Sequence, residues 1–545
     1  MDPGHAAQRL GVVIGGASSL WEGAYGVGTG GTASPMSGTT KIAREGNTPG
    51  SVSSWVAAQN PRKLILVIKT IRKETNVTTF NVISPIDGRE LLVGNTSSDA
   101  EVAAALNAAE TAFKTWKLSS KLERAQLVEA LADELLKRAD DLSRAVSLSI
   151  GRPAAQANET QRFKAVTLAQ IEALEELGDE RYPSDAQVAR FVRRSGQGVH
   201  LSIAPWNYPV GLLPWLIVTP ILGGNTVILK HAAQTTLIGR IVKEAYEAIG
   251  GPAGVLQVLE LGHDQVTSAI KSGFVKGVNF IGSVGGGLAV HAAAAGTLTV
   301  HAAAAGTLTH VHLELGGKDP AYVRPDADIE TAAAEIADGC FSNAGQSCCS
   351  VERIYLHEAI RVPFLECFRN EMLKYKLGHP MDPATTVGPV VKASAAEFIR
   401  NQIRGAIAMG AEAYVEPALE FSVENASCYL APTLLTRVAA NMHIMQEETF
   451  GPVACVQTVR DDAEAISLMN DSKFGLTASV WTRDLDAGLG LVDQLDAGTV
   501  FVNRCDHADL YLPWGGQKLS GLGRGNGKEG LLGVMDVKSF HLRAL

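Results

Sequence analysis

Five short runs rich in apolar and β-branched residues, Gly198–Ile203, Thr226–Lys230, Val255–Leu261, Val278–Gly282 and His310–Leu315, alternate with longer stretches of helical periodicity such as Leu237–Ile249 and Gln265–Ser272. Strands that alternate with helices return in the same direction, so this rhythm predicts a parallel sheet covered by helices on both faces. Upstream, Ser98 or Asp99 is placed to N-cap an Ala-rich helix reaching about Lys117. A second helix, with Leu127, Leu131 and Leu135 on one face, is expected to run towards Ile150. Downstream, another α/β stretch extends from a helix around Ile329–Asn343 to about Trp481. The chain has 545 residues, and single cores rarely grow past about 250–300 residues, so several structural units are expected.

Composition removes several classes of function. A net charge of −9 argues against a nucleic-acid partner, which calls for a basic face. The seven cysteines are odd in number and irregularly spaced, with no CxxC pair. They make neither a disulfide framework nor a zinc site, so no metal is expected and a reducing compartment, the cytoplasm, is. Leu201–Leu229 carries no charged side chain, yet it holds four prolines, a Gly-Gly pair and Asn207. In lipid these would leave polar groups unpaired, so the stretch reads as strand, loop and helix buried in protein, with no membrane partner. The first fifty residues hold twelve glycines and nine Ser or Thr, and residues 1–75 are expected to be a disordered extension. A mitochondrial presequence is the other reading, against which Arg9 is the only Lys or Arg before Lys41. Within this segment Lys63–Arg72 alternates enough for a strand. Residues 291–300 (HAAAAGTLTV) and 301–310 (HAAAAGTLTH) are a tandem duplication identical at nine of ten positions.

Four places carry candidate chemistry. Cys348 in FSNAGQSCCS is a nucleophile if a helix start or tight polar turn lowers its pKa, although Cys348 and Cys349 also fit buried small hydrophobes. Asn207 in APWNYPVG is held between prolines and suits an oxyanion donor, or equally a turn that satisfies its own backbone. NFIGSVGGGLAV ends a strand at a glycine turn before a helix, where backbone amides can meet a pyrophosphate; its GxxxxG spacing is weaker than GxGxxG. Glu314 in HLELGGKDP, at a strand end, is a general base, an N-cap or an ion-pair partner.

Together with EETFGPV (447–453) and PWGGQKLSGLGRG (513–525), these motifs resemble, in order and spacing, those of the aldehyde dehydrogenase superfamily from roughly Val82 to the C-terminus. The resemblance implies a Rossmann-like cofactor-binding domain (76–181 and 197–315), an α/β catalytic domain (316–519) and a small β oligomerisation element (182–196 and 530–545) in a homodimer or homotetramer. It places the nucleophile at Cys348, the oxyanion donor at Asn207 and the general base at Glu314. It gives the NAD or NADP contacts to Lys230, Gly282, Ser283, Gly287, Glu448, Phe450 and Trp206. Trp206 also falls on the lining of a substrate tunnel, with Tyr208, Trp215 and Trp514, which suggests a mostly apolar passage.

The implied reaction is oxidation of an aldehyde to the carboxylic acid through a thiohemiacetal and a thioester. A CoA-acylating semialdehyde dehydrogenase and an inactive dinucleotide-binding paralogue are the alternatives. Two departures from the family pattern matter. Lys230-His231-Ala232-Ala233 lacks the glutamate that binds the adenine-ribose 2′-hydroxyl, which leaves NADP open. The duplication lengthens the path from Gly282 to Glu314 by ten residues; the second copy is expected to take the family's place, with the first as a surface extension of the helix or a bulge. A semialdehyde would require a cation for its distal carboxylate, and Arg504 is the nearest candidate in sequence, against a surface or interdomain ion pair.

Overall fold

The computed structural model describes residues 77–295, 309–414 and 426–544, all within the unit Glu74–Leu545. The extension 1–75 and its Lys63–Arg72 run lie outside the described residues.

The alternating runs form a six-stranded sheet. Its spatial order is Gly521–Leu522, His310–Glu314, Val275–Ile281, Val199–Ile203, Thr226–Lys230 and Leu256–Val258. Five strands are parallel, and Gly521–Leu522 joins antiparallel to His310–Glu314. Every residue of Val199–Ile203 is buried, as expected of a strand covered on both faces. The strand order reverses between Val199–Ile203 and Val275–Ile281. A crevice opens at such a switch point, beyond the carboxyl ends of the strands.

A second sheet has seven strands: Glu412–Tyr414, Thr433–Thr436, Val453–Val459, Val351–His357, Asp319–Val323, Thr477–Trp481 and Thr499–Val502. All are parallel except Glu412–Tyr414. A third, antiparallel sheet places Val188–Gly196 between Glu180–Arg181 and Met535–Arg543.

The helix Asp99–Trp116 starts at Ser98 with a capping box: Ser98 Oγ accepts from Glu101 N at 3.3 Å, and a Glu101 carboxylate oxygen accepts from Ser98 N at 2.7 Å. The single helix expected to run to Ile150 is two helices, Lys121–Lys137 and Ala139–Ile150, broken at Arg138. Arg138 leaves helical geometry (φ −98°, ψ 19°), and its side chain pairs with Glu134 at 3.1 Å and Glu244 at 3.4 Å. Apolar spacing alone does not register such a break, because both segments bury leucines and valines. The uncharged stretch resolves into the strands Val199–Ile203 and Thr226–Lys230 with a short helical segment from Pro214 to Leu222 between them. Among the described residues no helix is long and apolar enough to cross a membrane.

The duplication departs from expectation. The helix Val284–Ala295 runs into the first copy, with Ala293 and Ala294 buried in the core beside the six-stranded sheet. The first five residues of that copy are therefore helical, with Ala293 and Ala294 packed into the core instead of standing off the surface. The reason is that HAAAA is the same in both copies, so the growing helix takes whichever comes first. Residues 296–308 lie outside the described residues.

Candidate active site

A cavity of about 510 Å³ occupies the switch-point crevice. Its walls include Asn207 and Trp206 from the loop after Val199–Ile203, Lys230 at the end of the next strand, and Gly282 and Ser283 after Val275–Ile281. Glu314 enters from the end of His310–Glu314, Cys348 from the turn before Val351–His357, and Glu448 with Phe450 from the loop before Val453–Val459. Nine of the sequence-expected residues thus meet in one space.

The turn that delivers Cys348 is strained in a directed way. Asn343, Ala344 and Gly345 adopt positive φ of 51°, 56° and 68°, a left-handed run that non-glycine residues rarely adopt. At Gly345 a side chain is impossible, since a Cβ would lie 2.2 Å from Gly451 O. The conformation is held by side-chain amides. Asn343 Nδ2 donates to Asn207 O at 3.1 Å and Gln346 O at 3.2 Å, and Asn207 Nδ2 donates to Gln346 O at 3.2 Å. Gln346 Oε1 in turn accepts from Val391 N at 2.8 Å. Asn207 is therefore buried and fixed, its amide bonded to the carbonyl of Gln346, two residues before Cys348.

The two cysteines differ in environment. Cys348 is half-buried on the cavity wall, while Cys349 is buried and absent from that wall. Contact with Cys348, burial and the neighbouring Asp506 carboxyl push the Cys349 thiol well above its ordinary pKa. Cys349 Sγ donates to Asp506 Oδ1 at 2.9 Å, as does Ser347 Oγ at 2.9 Å. Burial raises Asp506 itself to about 7, against the pull of these two donors.

Glu314 is almost fully buried; Oε1 lies 2.7 Å from His312 Nε2, and Oε2 has no hydrogen-bond partner among the described residues. Burial pushes its carboxyl pKa upward, and the contact with His312 pulls it back. Its backbone carbonyl accepts from Gly282 N at 3.0 Å, which ties the glycine turn to the carboxylate strand. Glu448 accepts from Gly317 N at 3.0 Å and is raised to about 8 by burial and by the nearby Glu352. Phe450 sits at φ 54° and meets Trp206 edge-on, ring centroids 5.4 Å apart. Burial lowers the Lys230 ammonium.

Four expected residues lie elsewhere. Gly287 is outside the cavity lining, and a Cβ there would strike Leu315 Cδ2 at 2.4 Å, so this glycine lets helix Val284–Ala295 approach the sheet. Gly286 takes its place on the wall. Trp215 and Trp514 are buried in the core, stacked with centroids 6.0 Å apart, and Trp215 Nε1 donates to Asn526 Oδ1 at 3.1 Å. They do not line this cavity; they belong to the hydrophobic core beside it. Tyr208 is half-buried outside the lining, beneath the Arg152 guanidinium at 4.6 Å, and Asp506 is among the charges acting on its hydroxyl. Ser347 Oγ, beside Cys348, donates to the Asp506 carboxylate, so polar groups stand near Tyr208 on this side. Arg504 is exposed, its Nη2 3.0 Å from His507 Nδ1. It carries the surface reading, not a carboxylate site. Ala233 is exposed and Ala232 lines the cavity instead.

Sequence reasoning missed His312 and Asp506. His312 had a signal, since residues i and i+2 of a strand share a face. Asp506 had none, because its partner Cys349 is 157 positions away.

Comparison with known proteins gives a consistent result. The sequence profile of the aldehyde dehydrogenase family matches residues 71–540. An aldehyde dehydrogenase of Emericella nidulans is 32% identical over 480 residues, covering 85% of this chain and 92% of that protein. A betaine aldehyde dehydrogenase of Agrobacterium fabrum is 31% identical over 468 residues, 85% and 93% of the two chains. Among solved structures, a point mutant of Staphylococcus aureus betaine aldehyde dehydrogenase in complex with NAD+ superposes with a TM-score of 0.79 at 28% identity, covering 86% of this chain and 94% of that one. An NADP-dependent enzyme of Escherichia coli has the same TM-score, 0.79, and identity, 28%, over 86% and 95%.

Proposed function

The chain belongs to the aldehyde dehydrogenase family, and from that premise we propose that it oxidises an aldehyde to the carboxylic acid with NAD or NADP by covalent catalysis at Cys348. The observation that carries this reading is the convergence of Cys348, Asn207 and Glu314 on one cavity that also receives the Gly282–Ser283 turn. The cavity fits a dinucleotide in chemistry as well as position. The amino end of helix Val284–Ala295 offers backbone N–H groups to a pyrophosphate, and Lys230 and Glu448 give the cavity wall polar side chains able to bond ribose hydroxyls. The relatives include one solved with NAD+ and one described as NADP-dependent, and the exposed Ala233 has no carboxylate to repel a 2′-phosphate.

The Cys348 thiolate adds to the aldehyde carbon, and the resulting oxyanion is held by the Asn207 amide and the Cys348 backbone N–H. To serve as that donor Asn207 turns its Nδ2 from Gln346 O to the oxyanion, a short exchange for an already immobilised amide. A nicotinamide cofactor held by the Gly282–Ser283 turn, Lys230 and Glu448 would supply the hydride acceptor for this oxidation. Glu314, with Oε2 bare, takes a proton from the water that hydrolyses the thioester. The presence of this base favours hydrolysis over transfer to CoA.

The test is transient kinetics. Glu314→Gln should produce one burst of reduced cofactor and then stall at the thioester, with or without CoA. Asn207→Ala should slow the burst itself by on the order of 10²–10³, as for one lost oxyanion donor. A Glu314→Gln enzyme that binds cofactor normally yet shows no burst contradicts this division of roles.

A further inference from the structure

The contact between His312 and Glu314 has features of a built site. Both side chains project from one face of strand His310–Glu314, with Nε2 and Oε1 2.7 Å apart. Room for the imidazole is made by glycines of the GLGRG segment. A Cβ on Gly523 (φ +88°) would lie 2.9 Å from His312 Cδ2, and one on Gly525 would lie 3.1 Å from His312 Cε1. Behind the ring is a second cavity of about 120 Å³, lined in part by His200, Asn279, His310, His312 and Arg524. That volume holds a few waters at about 30 Å³ each. The His312 side chain keeps 18% of its surface accessible and Glu314 only 4%, so the histidine is the hydrated end of the pair.

Resting on the reading of Glu314 as the thioester-hydrolysing base, we propose that His312 is its positioning residue. The Nε2–H grips Oε1, aims the bare Oε2 at the acyl group on Cys348, and stabilises the ionised carboxylate in a site that otherwise expels charge. In the step concerned, the water oxygen bonds to the acyl carbon while its proton passes to Glu314 Oε2. The C–S bond then breaks and its electron pair returns to the Cys348 sulfur. A carboxyl buried this deeply is pushed towards its neutral form, and the groups acting against that push are His312 first, then Arg524 and the Gly525 backbone N–H. On the far side the charged or titratable groups are His200, His310 and the Asp536 that His310 approaches at 3.5 Å. None of these reaches Glu314 by a hydrogen bond.

The experiment measures two rates in the full-length enzyme with cofactor and aldehyde. The burst of reduced cofactor reports acylation, and rapid-quench release of carboxylic acid reports thioester hydrolysis, each across pH. His312→Leu, which removes the donor, should leave the burst close to wild type. It should slow acid release about tenfold or more near neutral pH and move the acid limb of that rate upward by about one pH unit. His312→Gln keeps a donor on a side chain of similar reach and should recover most of the hydrolysis rate; His312→Asn, too short to reach, serves in place of leucine if that variant does not fold. An acid limb unmoved in the donorless variant, or burst and hydrolysis falling together, overturns the proposal. Glu314→Gln in parallel separates the two ideas. Steady turnover in that variant removes the underlying reading, whereas a stall combined with normal hydrolysis in His312→Leu rejects only the role of His312.

Discussion

Cys348 and Cys349 are adjacent in sequence and opposite in chemistry. The first is half-buried on the wall of the cavity; the second is buried and bonded to Asp506, its thiol raised well above the ordinary range. A nucleophile must be a thiolate with access to its electrophile, so only the first qualifies. Cys348→Ser should abolish aldehyde oxidation, and Cys349→Ser should leave most of it, because Ser347 still donates to Asp506. Equal losses in the two variants, measured as reduced-cofactor formation with folding checked by circular dichroism, contradict the assignment. Environment outweighs residue type for Glu314 and Glu448 as well. Both are carboxylates raised by burial, but Glu314 has a histidine to oppose the effect, and Glu448 has the like charge of Glu352 adding to it.

At the level of elements, the helix Val284–Ala295 and the strand His310–Glu314 are the pieces that a ten-residue duplication had to spare. Deleting residues 291–300 or residues 296–305 yields the same protein, because the removed windows differ only in which identical copy is counted as lost. In that product HAAAA still ends the helix, and Gly306–Thr309 alone leads into His310. Connections of 2–6 residues are usual between a helix and the following strand. Shortening the path from fourteen residues to four (296–309 against 306–309) saves about 1 kcal/mol of loop-closure entropy. The deletion variant should therefore keep its turnover and gain stability of that order in thermal unfolding. A folded variant without activity would place the extra residues in the working site.

For the whole molecule, the three-stranded sheet bears on assembly, which we expect to be a homodimer or homotetramer. Met535–Arg543 pairs with Val188–Gly196 over nine residues, locked by Phe191 stacked on Phe540 at 4.6 Å. Met535–Arg543 is an edge of that sheet and exposes Val537 at 58% and Leu542 at 53%. Long edge strands with exposed apolar residues are templates for pairing with another chain. Val537→Glu with Leu542→Glu should reduce the particle mass measured by light scattering towards that of one chain. An unchanged mass puts the interface elsewhere. The active site asks nothing of that sheet directly, since the residues of its cavity come from the two large sheets, their loops and the helices His263–Lys271 and Val284–Ala295.

What could be read without a structure is what local rules encode. Alternation of β-branched runs with helical periodicity marked all five parallel strands of the six-stranded sheet, and Ser98 or Asp99 marked a helix start that the structure gives to Ser98. The motifs around Asn207, Gly282, Glu314, Cys348 and Glu448 were visible because each is a short segment with its own backbone demands. Tertiary structure decided the rest. Trp215 and Trp514 are aromatic residues in motifs that pointed to a tunnel, and only the packing of distant segments turned them into a stacked anchor. Arg138 ends a helix through ion pairs to Glu134 and Glu244, the second of which lies 106 positions away. Periodicity records which side of an element avoids water, whereas a cavity wall, a raised carboxyl or a slot for His312 depends on which elements lie side by side. Sheet order sets that, and nothing in a local pattern of residues states it.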